Sequence, residues 1–169
     1  MGFVRRTAAA DLGAIEAVYR ARYPAFLRVA VAILSDEGLA ADAVHDGFVR
    51  AVRHRRSFRG EGSLEGWLWQ TVVNAARKCA RKRSDDLDAE PDRDERAEES
   101  PLDDSSELRG LIAALPERQR LALFLRYYAD LDYRSIAEAL GVKPGTVAAT
   151  LSAAHTTLRT ILEADPCRI

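Results

Sequence analysis

The sequence contains few of the residues from which metal and redox sites are built. Of its 169 residues, two are cysteine and three are histidine. Cys79 and Cys167 do not have the spacing of a metal-ligand or CxxC motif, which favours a reduced, cytoplasmic protein. The sequence therefore predicts no metal site and no cofactor.

Long apolar runs and strand patterns are also missing. No apolar segment is long enough to span a bilayer, so no membrane insertion is predicted. The first residues, MGFVRRTAAADLG, contain no continuous apolar segment of the kind that a signal peptide carries. No stretch alternates between apolar and polar residues for long enough to predict a β-strand. A chain of this length can form one domain or two small ones.

Charge is unevenly distributed, although the net charge is only −1. Residues 1–83 carry 15 Lys and Arg against 8 Asp and Glu, and residues 84–107 carry 2 against 12. Residues 108–169 carry 8 against 6. A basic segment followed by an acidic one points to a polyanionic partner, which the acidic segment would repel or mimic.

Apolar residues recur at helical spacing in three segments of the first half. The spacing predicts helices over residues 11–34, 39–56 and 63–83, with Pro24 expected to break or kink the first. Ser63 is a good N-cap for the third helix, because its hydroxyl can accept a hydrogen bond from a free backbone N–H of the first turn.

The second half begins after a segment that has little to bury. Residues 84–106 combine high charge with two prolines, which predicts a flexible acidic linker. Residues 132–163 have a helix-turn-helix pattern, with Gly141 at the turn and Pro144 at a first helical position. We therefore predict an all-α fold of two small helical domains, residues 1–83 and 107–169, with the helix-turn-helix in the second.

The helix predicted over residues 63–83 has a polar face with two amides followed by cations. An amide can donate to and accept from a base edge, and cations hold phosphates. Aromatic side chains beside cations suit unstacked single-stranded bases. The alternative is a core helix with two buried tryptophans and a solvated basic end. The polar face and the nearby aromatic residues are Gln70, Asn74, Arg77, Lys78, Arg81, Phe58, Trp67 and Trp69.

Three segments then carry a family resemblance. Residues 40–52 read AADAVHDGFVRAV, residues 58–78 read FRGEGSLEGWLWQTVVNAARK, and residues 115–147 read LPERQRLALFLRYYADLDYRSIAEALGVKPGTV. In this order they resemble the extracytoplasmic-function (ECF) group of bacterial sigma factors, the promoter-recognition subunits of RNA polymerase. The second segment is similar to region 2 of that family, and the third is similar to region 4.

The resemblance implies three binding surfaces and their partners. The helix over residues 39–53 would dock on the coiled coil of the polymerase core, residues 57–83 would melt and read the −10 promoter element, and the second domain would bind the polymerase flap and the −35 element. An anti-sigma protein often restrains such factors. The core-binding residues would be Asp42, His45, Asp46 and Arg50. The −10 residues would be Phe58, Arg59, Trp67, Gln70, Asn74, Arg77, Lys78 and Arg81. The −35 residues would be Arg134, Lys143, Thr146, Thr150, Ser152, His155 and Arg159.

The recognition helix departs from the family pattern. Where the family usually has several cations after Gly-Thr-Val, residues 148–158 contain no Lys or Arg. Lys143 stands where a capping serine is common, and His45 stands where the family usually has glutamine. We expect the second domain to bind duplex −35 DNA weakly.

Two other functions fit the same sequence. One is a DNA-binding regulator that never joins polymerase, binding duplex DNA through residues 132–163 and using residues 1–83 as a sensor. The other is an interaction protein that sequesters a partner. An enzyme is not predicted, because His45 and Asp46 form a lone pair with no further histidine or acidic cluster at ligand spacing, and neither cysteine has a neighbouring histidine.

Overall fold

The fold is all-helical in every part of the chain that the computed structural model describes, namely residues 9–60, 62–89 and 110–164. Helix-capping residues and apolar spacing account for where its helices begin and which face of each is buried. The elements are α1 (Leu12–Leu34), α2 (Glu37–Arg53), a 3-10 turn (Arg55–Ser57), α3 (Leu64–Ala89), α4 (Glu117–Tyr127), α5 (Tyr133–Leu140) and α6 (Pro144–Ala164). A short helical stretch at residues 110–113 precedes α4.

Four of these helices begin at a side chain that caps them. Asp11 accepts from the Ala14 amide at 3.0 Å, and Asp36 accepts from the Leu39 amide at 2.9 Å. The predicted cap of α3 is confirmed, since the Ser63 hydroxyl accepts from the Gly66 amide at 2.9 Å. Asp132 does the same for α5. Because a capped first turn satisfies otherwise free N–H groups, the starts of these helices are encoded locally.

The interior of one helix and the ends of two others differ from the sequence expectation. Helix α1 runs unbroken through Pro24; this proline is exposed, so water can reach the carbonyl that loses its helical donor. Helix α2 ends at Arg53, and the 3-10 turn takes over. Helix α3 continues to Ala89. The prediction that a flexible linker begins at Ser84 is therefore wrong for residues 84–89. No glycine or proline interrupts the sequence between Ser84 and Pro91.

The first three helices form one core around an aromatic stack. Phe26 of α1 lies against Trp69 of α3, with ring centroids 3.9 Å apart, and meets Phe48 of α2 edge-on at 5.0 Å. Phe26 and Trp69 are fully buried. Offset and edge-on contacts between rings add to the free energy gained from burial, so this trio fixes α3 against both of its neighbours.

Helices α2 and α3 approach most closely at Gly47. A Cβ atom at this position would lie 2.9 Å from both Cα and Cγ2 of Val72. Val72 is itself buried in the core. The two helix backbones can therefore come this close only because residue 47 has no side chain.

The two halves of the chain pack against each other. We call α1–α3 the first module and α4–α6 the second module. Buried residues of both modules belong to one continuous hydrophobic cluster, and α5 lies along α3. The expectation that the linker holds the modules apart is therefore wrong for this structure. Whether the linker shields basic surfaces stays a prediction, because residues 90–106 lie outside the described residues.

Replacing Gly47 by alanine should destabilise the protein. The new methyl group would meet the Val72 backbone, which cannot rotate away, and overpacking of this kind costs about 1–3 kcal/mol. Gly145→Ala is the matched control, since a Cβ there would meet nothing within 4 Å. Urea denaturation followed by circular dichroism gives both free energies of unfolding. A Gly47→Ala protein as stable as the control would contradict the close approach.

Candidate nucleic-acid interface

An open groove of about 480 Å³ lies between the end of α2 and the middle of α3. Its walls combine cationic, aromatic and amide side chains from the two helices. The residues that line it are Arg50, Ala51, Arg53, His54, Ser57, Trp67, Gln70, Thr71 and Asn74. We call it the α2–α3 groove. Three residues predicted to contact the −10 element, Trp67, Gln70 and Asn74, are thus brought together.

The amides lie on a single line of residues along α3. Ser63, Gly66, Gln70, Asn74 and Arg77 follow one another at spacings of three or four, so they share one face of the helix. We call these five residues the α3 row. Asn74 is exposed and Gln70 is half-buried. Both amides can therefore present donors and acceptors to a base at the groove.

The aromatic residues divide into one that a base can reach and one that it cannot. Trp67 is partly buried, lines the groove and lies 5.5 Å from Phe58 between ring centroids. Trp69 is fully buried against Phe26. The suggestion that both tryptophans serve single-stranded bases is therefore wrong for Trp69, and the core-helix alternative describes that residue.

The cations of the groove come mainly from α2. Arg50 and Arg53 are exposed and line the groove on the side of α2, together with the exposed His54 that follows the helix. Sequence reasoning placed Arg50 on the polymerase-docking surface and left Arg53, His54, Ser57 and Thr71 out of the site. The sequence does contain an indication of these cations, because the basic run Arg53-His54-Arg55-Arg56 comes immediately before the −10 segment. The spacing of α3 alone could not show which neighbour would supply cations.

Of the cations expected on α3, one is already paired. The Nε atom of Arg77 donates to Oε1 of Glu117 in the second module at 2.8 Å. Lys78 and Arg81 are exposed, as is Arg59 in the loop before α3. The basic end of α3 is therefore open to solvent except at Arg77.

The polymerase-docking residues predicted on α2 remain together on its surface. Asp42, His45 and Asp46 are exposed, whereas Phe48 is buried in the first-module core. Asp42 lies three residues before His45 and four before Asp46, so it neighbours both on the helix surface. Arg50 alone of the four predicted residues also lines the α2–α3 groove.

The helix-turn-helix forms as its sequence predicts. Gly141 ends α5 in the left-handed conformation at φ 65°, which favours glycine. Pro144 is the first residue of α6, and Val147 is buried where the two helices meet. Leu162, near the end of α6, is exposed.

The residues predicted to bind −35 DNA are mostly accessible. Six of them are exposed and Thr150 is half-buried. The exposed six are Arg134, Lys143, Thr146, Ser152, His155 and Arg159. His155 Nε2 lies 3.1 Å from the Tyr127 hydroxyl, and Arg134 pairs with Glu138 at 3.5 Å.

The threonines of α6 use their hydroxyl groups within the helix. Thr150 donates to the carbonyl of Thr146 at 2.7 Å, and Thr156 donates to that of Ser152 at 3.0 Å. Thr157 and Thr160 do the same with the residues four positions earlier. The exposed surface of α6 is thus poor in free donors as well as in cations.

Comparison with known families accounts for both modules. A family model of sigma-70 region 2 matches residues 18–85, and one of sigma-70 region 4 matches residues 105–158. The RNA polymerase sigma-E factor of Streptomyces coelicolor is 28% identical over 151 residues, covering 85% of this chain and 83% of that protein. The ECF RNA polymerase sigma-E factor of Escherichia coli strain K12 is 32% identical over 127 residues, covering 65% of this chain and 66% of that protein.

The chain is an ECF sigma factor of the sigma-70 family.

Solved structures show the same fold as this sigma factor. The sigma factor RpoE of Bartonella quintana, in complex with the anti-sigma factor NepR, matches with a TM-score of 0.72 at 22% identity. That match covers 91% of this chain and 99% of the other. CnrH in complex with the cytosolic domain of CnrY matches with a TM-score of 0.68 at 19% identity, covering 94% of both chains.

Metal-binding clusters and membrane-spanning helices are absent from the described parts of the sigma factor. Among residues 9–60, 62–89 and 110–164, no group of three or more His, Cys, Asp or Glu side chains is arranged to hold a metal ion. None of the helices described above is both long enough and apolar enough to cross a membrane.

The cap of α5 should make the sigma factor sensitive to acid. The Ser135 amide donates to Asp132 at 2.7 Å, and this hydrogen bond lowers the pKa of Asp132. The stabilisation is fully present above the ordinary carboxyl pKa of about 3.9 and is lost as pH falls through the lower folded pKa. Asp132→Asn keeps a cap that does not titrate. The stability advantage of wild type over Asp132→Asn should therefore shrink below about pH 4.

Thermal denaturation of both proteins at a series of pH values measures this difference. Asp132→Ala, which removes the cap, should lose about 1 kcal/mol at neutral pH. A difference between wild type and Asp132→Asn that is independent of pH would contradict the assignment.

Proposed function

We propose that this sigma factor reads the −10 promoter element as an unpaired strand in the α2–α3 groove, while the exposed face of α2 docks on core RNA polymerase. The observation that carries the proposal is the composition of the groove, in which Gln70, Asn74 and Trp67 lie opposite the cations of α2. Because the chain belongs to the sigma-70 family, this binding would serve promoter-directed initiation of transcription and not an enzymatic reaction.

The groove has the properties that an extruded base requires. An aromatic ring such as Trp67 can stack on any base, and the amides of Gln70 and Asn74 can distinguish base edges. The phosphates on either side of that base need positive charge, which Arg50 and Arg53 supply from the opposite wall. A duplex presents its bases stacked and paired, so the amides and Trp67 would act together only on melted DNA.

The second module supports a weaker contact with duplex DNA. Its recognition helix α6 has no Lys or Arg from Val147 to Leu158, although phosphate neutralisation dominates the affinity of most DNA-binding proteins. Arg134, Lys143 and Arg159 are the cations available nearby. We infer that the −10 strand and the polymerase contribute most of the promoter affinity. The scarcity of Lys and Arg on α6 also argues against the alternative function, a regulator that binds duplex DNA by itself.

An anti-sigma protein is a further proposed partner. The Bartonella quintana sigma factor with the same fold is bound to the anti-sigma factor NepR. Helix α6 offers alanines and serine at exposed positions, including Ala148, Ala149, Ser152 and Ala153, and such a surface permits close approach of a protein partner. On these two grounds we propose that an anti-sigma protein also binds and restrains this sigma factor.

Asn74→Ala tests the groove. The variant should lose about 1–3 kcal/mol of binding free energy for an unpaired −10 strand, because the amide that reads a base edge is gone. Alanine is a better helix former than asparagine, so loss of binding would not come from loss of α3. The probe is a labelled single strand selected from a randomised pool by wild-type holoenzyme, measured by fluorescence anisotropy with core polymerase present.

Thr160→Ala, an exposed substitution at the far end of α6, is the matched control and should bind this strand as wild type does. Equal affinity of Asn74→Ala and wild type, with polymerase association intact, would show that the −10 strand is held elsewhere.

Asp46→Lys tests the docking face. Reversing the charge of an exposed α2 residue should lower association with core polymerase at least about tenfold, since like charges across an interface cost several kcal/mol. The side chain faces solvent, so the helical circular dichroism signal should not change. Glu16→Lys on α1, also exposed, controls for net charge. If Asp46→Lys bound polymerase with normal affinity, the docking surface could not be this face of α2.

A further inference from the structure

Thr71 of α3 lies between the ring and the amide that are proposed to hold a base. It follows Trp67 by four residues and precedes Asn74 by three, so the three side chains share one face of α3. All three line the α2–α3 groove, and together they extend about 10 Å along the helix at 1.5 Å per residue. A base that stacks on the Trp67 ring with its edge toward Asn74 therefore passes over Thr71.

The hydroxyl group of Thr71 already donates its proton within the helix. Its Oγ1 atom lies 2.9 Å from the carbonyl oxygen of Trp67. A carbonyl oxygen has no proton, so the hydroxyl must be the donor in this contact. The Oγ1 atom keeps lone pairs that can accept a hydrogen bond from a ligand. Because Thr71 is half-buried, a base in the groove can reach this acceptor.

The second hydroxyl group that lines the groove is occupied in the same way. Ser57 Oγ donates to the carbonyl oxygen of His54 at 2.8 Å, and the Ser57 backbone N–H donates to the same oxygen at 2.7 Å. Both hydroxyl groups of the groove can therefore accept from a ligand, while its donors are the amides and the cations. This division makes the groove selective for what a base presents at each point.

An acceptor at Thr71 favours a base that carries an amino group. Cytosine, adenine and guanine each have an exocyclic amino group, which is a donor, whereas the groups that protrude from the thymine ring are carbonyl oxygens and a methyl group. A thymine carbonyl at this point would face the lone pairs of Oγ1 with no proton between the two oxygens. Polar groups that are desolvated without a partner lower the affinity.

We propose that Thr71 is a specificity-determining residue of the strand site, accepting a hydrogen bond from the exocyclic amino group of the base that stacks on Trp67. Asn74 and Trp67 hold this base, and Thr71 selects against thymine at the same position. The inference rests on the proposed function of the α2–α3 groove.

A threonine outside the groove provides the control for a purely structural role. Threonine hydroxyls often bond to the carbonyl four residues earlier in a helix, whatever the function of the helix. Thr160 of α6 does so with Thr156 at 3.0 Å, and it is exposed at the far end of the second module. Thr160→Val therefore makes the same chemical change as Thr71→Val at a residue that the strand is not proposed to touch.

Removal of single amino groups from the strand tests the proposal with the full chain in holoenzyme. The probe is the labelled strand that wild-type holoenzyme selects from a randomised pool. Each amino-bearing base is replaced in turn by an analogue without the amino group, namely pyrimidinone for cytosine, purine for adenine or hypoxanthine for guanine. At one position, wild type should lose about three- to tenfold in affinity, as one hydrogen bond is lost.

Thr71→Val should be nearly insensitive to the replacement that wild type detects. Valine has almost the shape of threonine but no acceptor, so the loss at that position should be about twofold or less. Thr71→Ala, which favours the helix more than valine does, should behave in the same way and guards against a folding defect of the valine variant. Thr71→Ser keeps the acceptor and should respond as wild type does, and so should Thr160→Val.

The two possible failures are distinguishable. If Thr71→Val and wild type respond equally to every analogue, Thr71 does not select the base and the proposal is overturned. If Asn74→Ala still weakens strand binding in that case, the groove assignment survives. If neither Asn74→Ala nor any substitution of Thr71 changes strand binding, the groove assignment fails as well.

Discussion

Helix α3 has neighbours on most of its surface, and this constraint determines which of its side chains a partner can reach. One side is buried through Trp69 against α1, a second lies against Gly47 of α2, and a third lies against α5 of the second module. What remains accessible is the α2–α3 groove, with Gln70 and Asn74, and the exposed basic end of α3. A binding surface confined in this way has little freedom to adjust, so its specificity depends on how its neighbours position it.

The boundaries of the helices were largely predictable, because they depend on local chemistry. Ser63, Gly141 and Pro144 mark their helix ends by capping and backbone preference. The buried face of α3 was less predictable. Trp67 and Trp69 have the same apolar character in the sequence, yet Trp69 is fully buried and Trp67 lines a groove. Periodicity shows that a helix has an apolar face, but a helix with several neighbours buries more than one face.

Packing between the modules was not predictable from the sequence at all. It joins residues far apart in the chain, through a shared hydrophobic cluster and through polar contacts such as Ser63 with Ser135 and Arg77 with Glu117. Serines and ion-pairing side chains are ordinary on exposed helix surfaces, so their pattern carries no sign of a partner. The cations of the groove were overlooked for a related reason, since the end of α2 meets the middle of α3 only after folding.

The threonines of α6 give the recognition helix a particular hydrogen-bonding polarity. Because Thr150, Thr156 and Thr160 direct their hydroxyl protons to the helix backbone, they offer lone pairs and methyl groups outward. A surface of this kind can accept hydrogen bonds and touch apolar groups, but these three hydroxyls have no proton left to donate to a partner. A partner that lies against this surface would have to bring the hydrogen-bond donors itself.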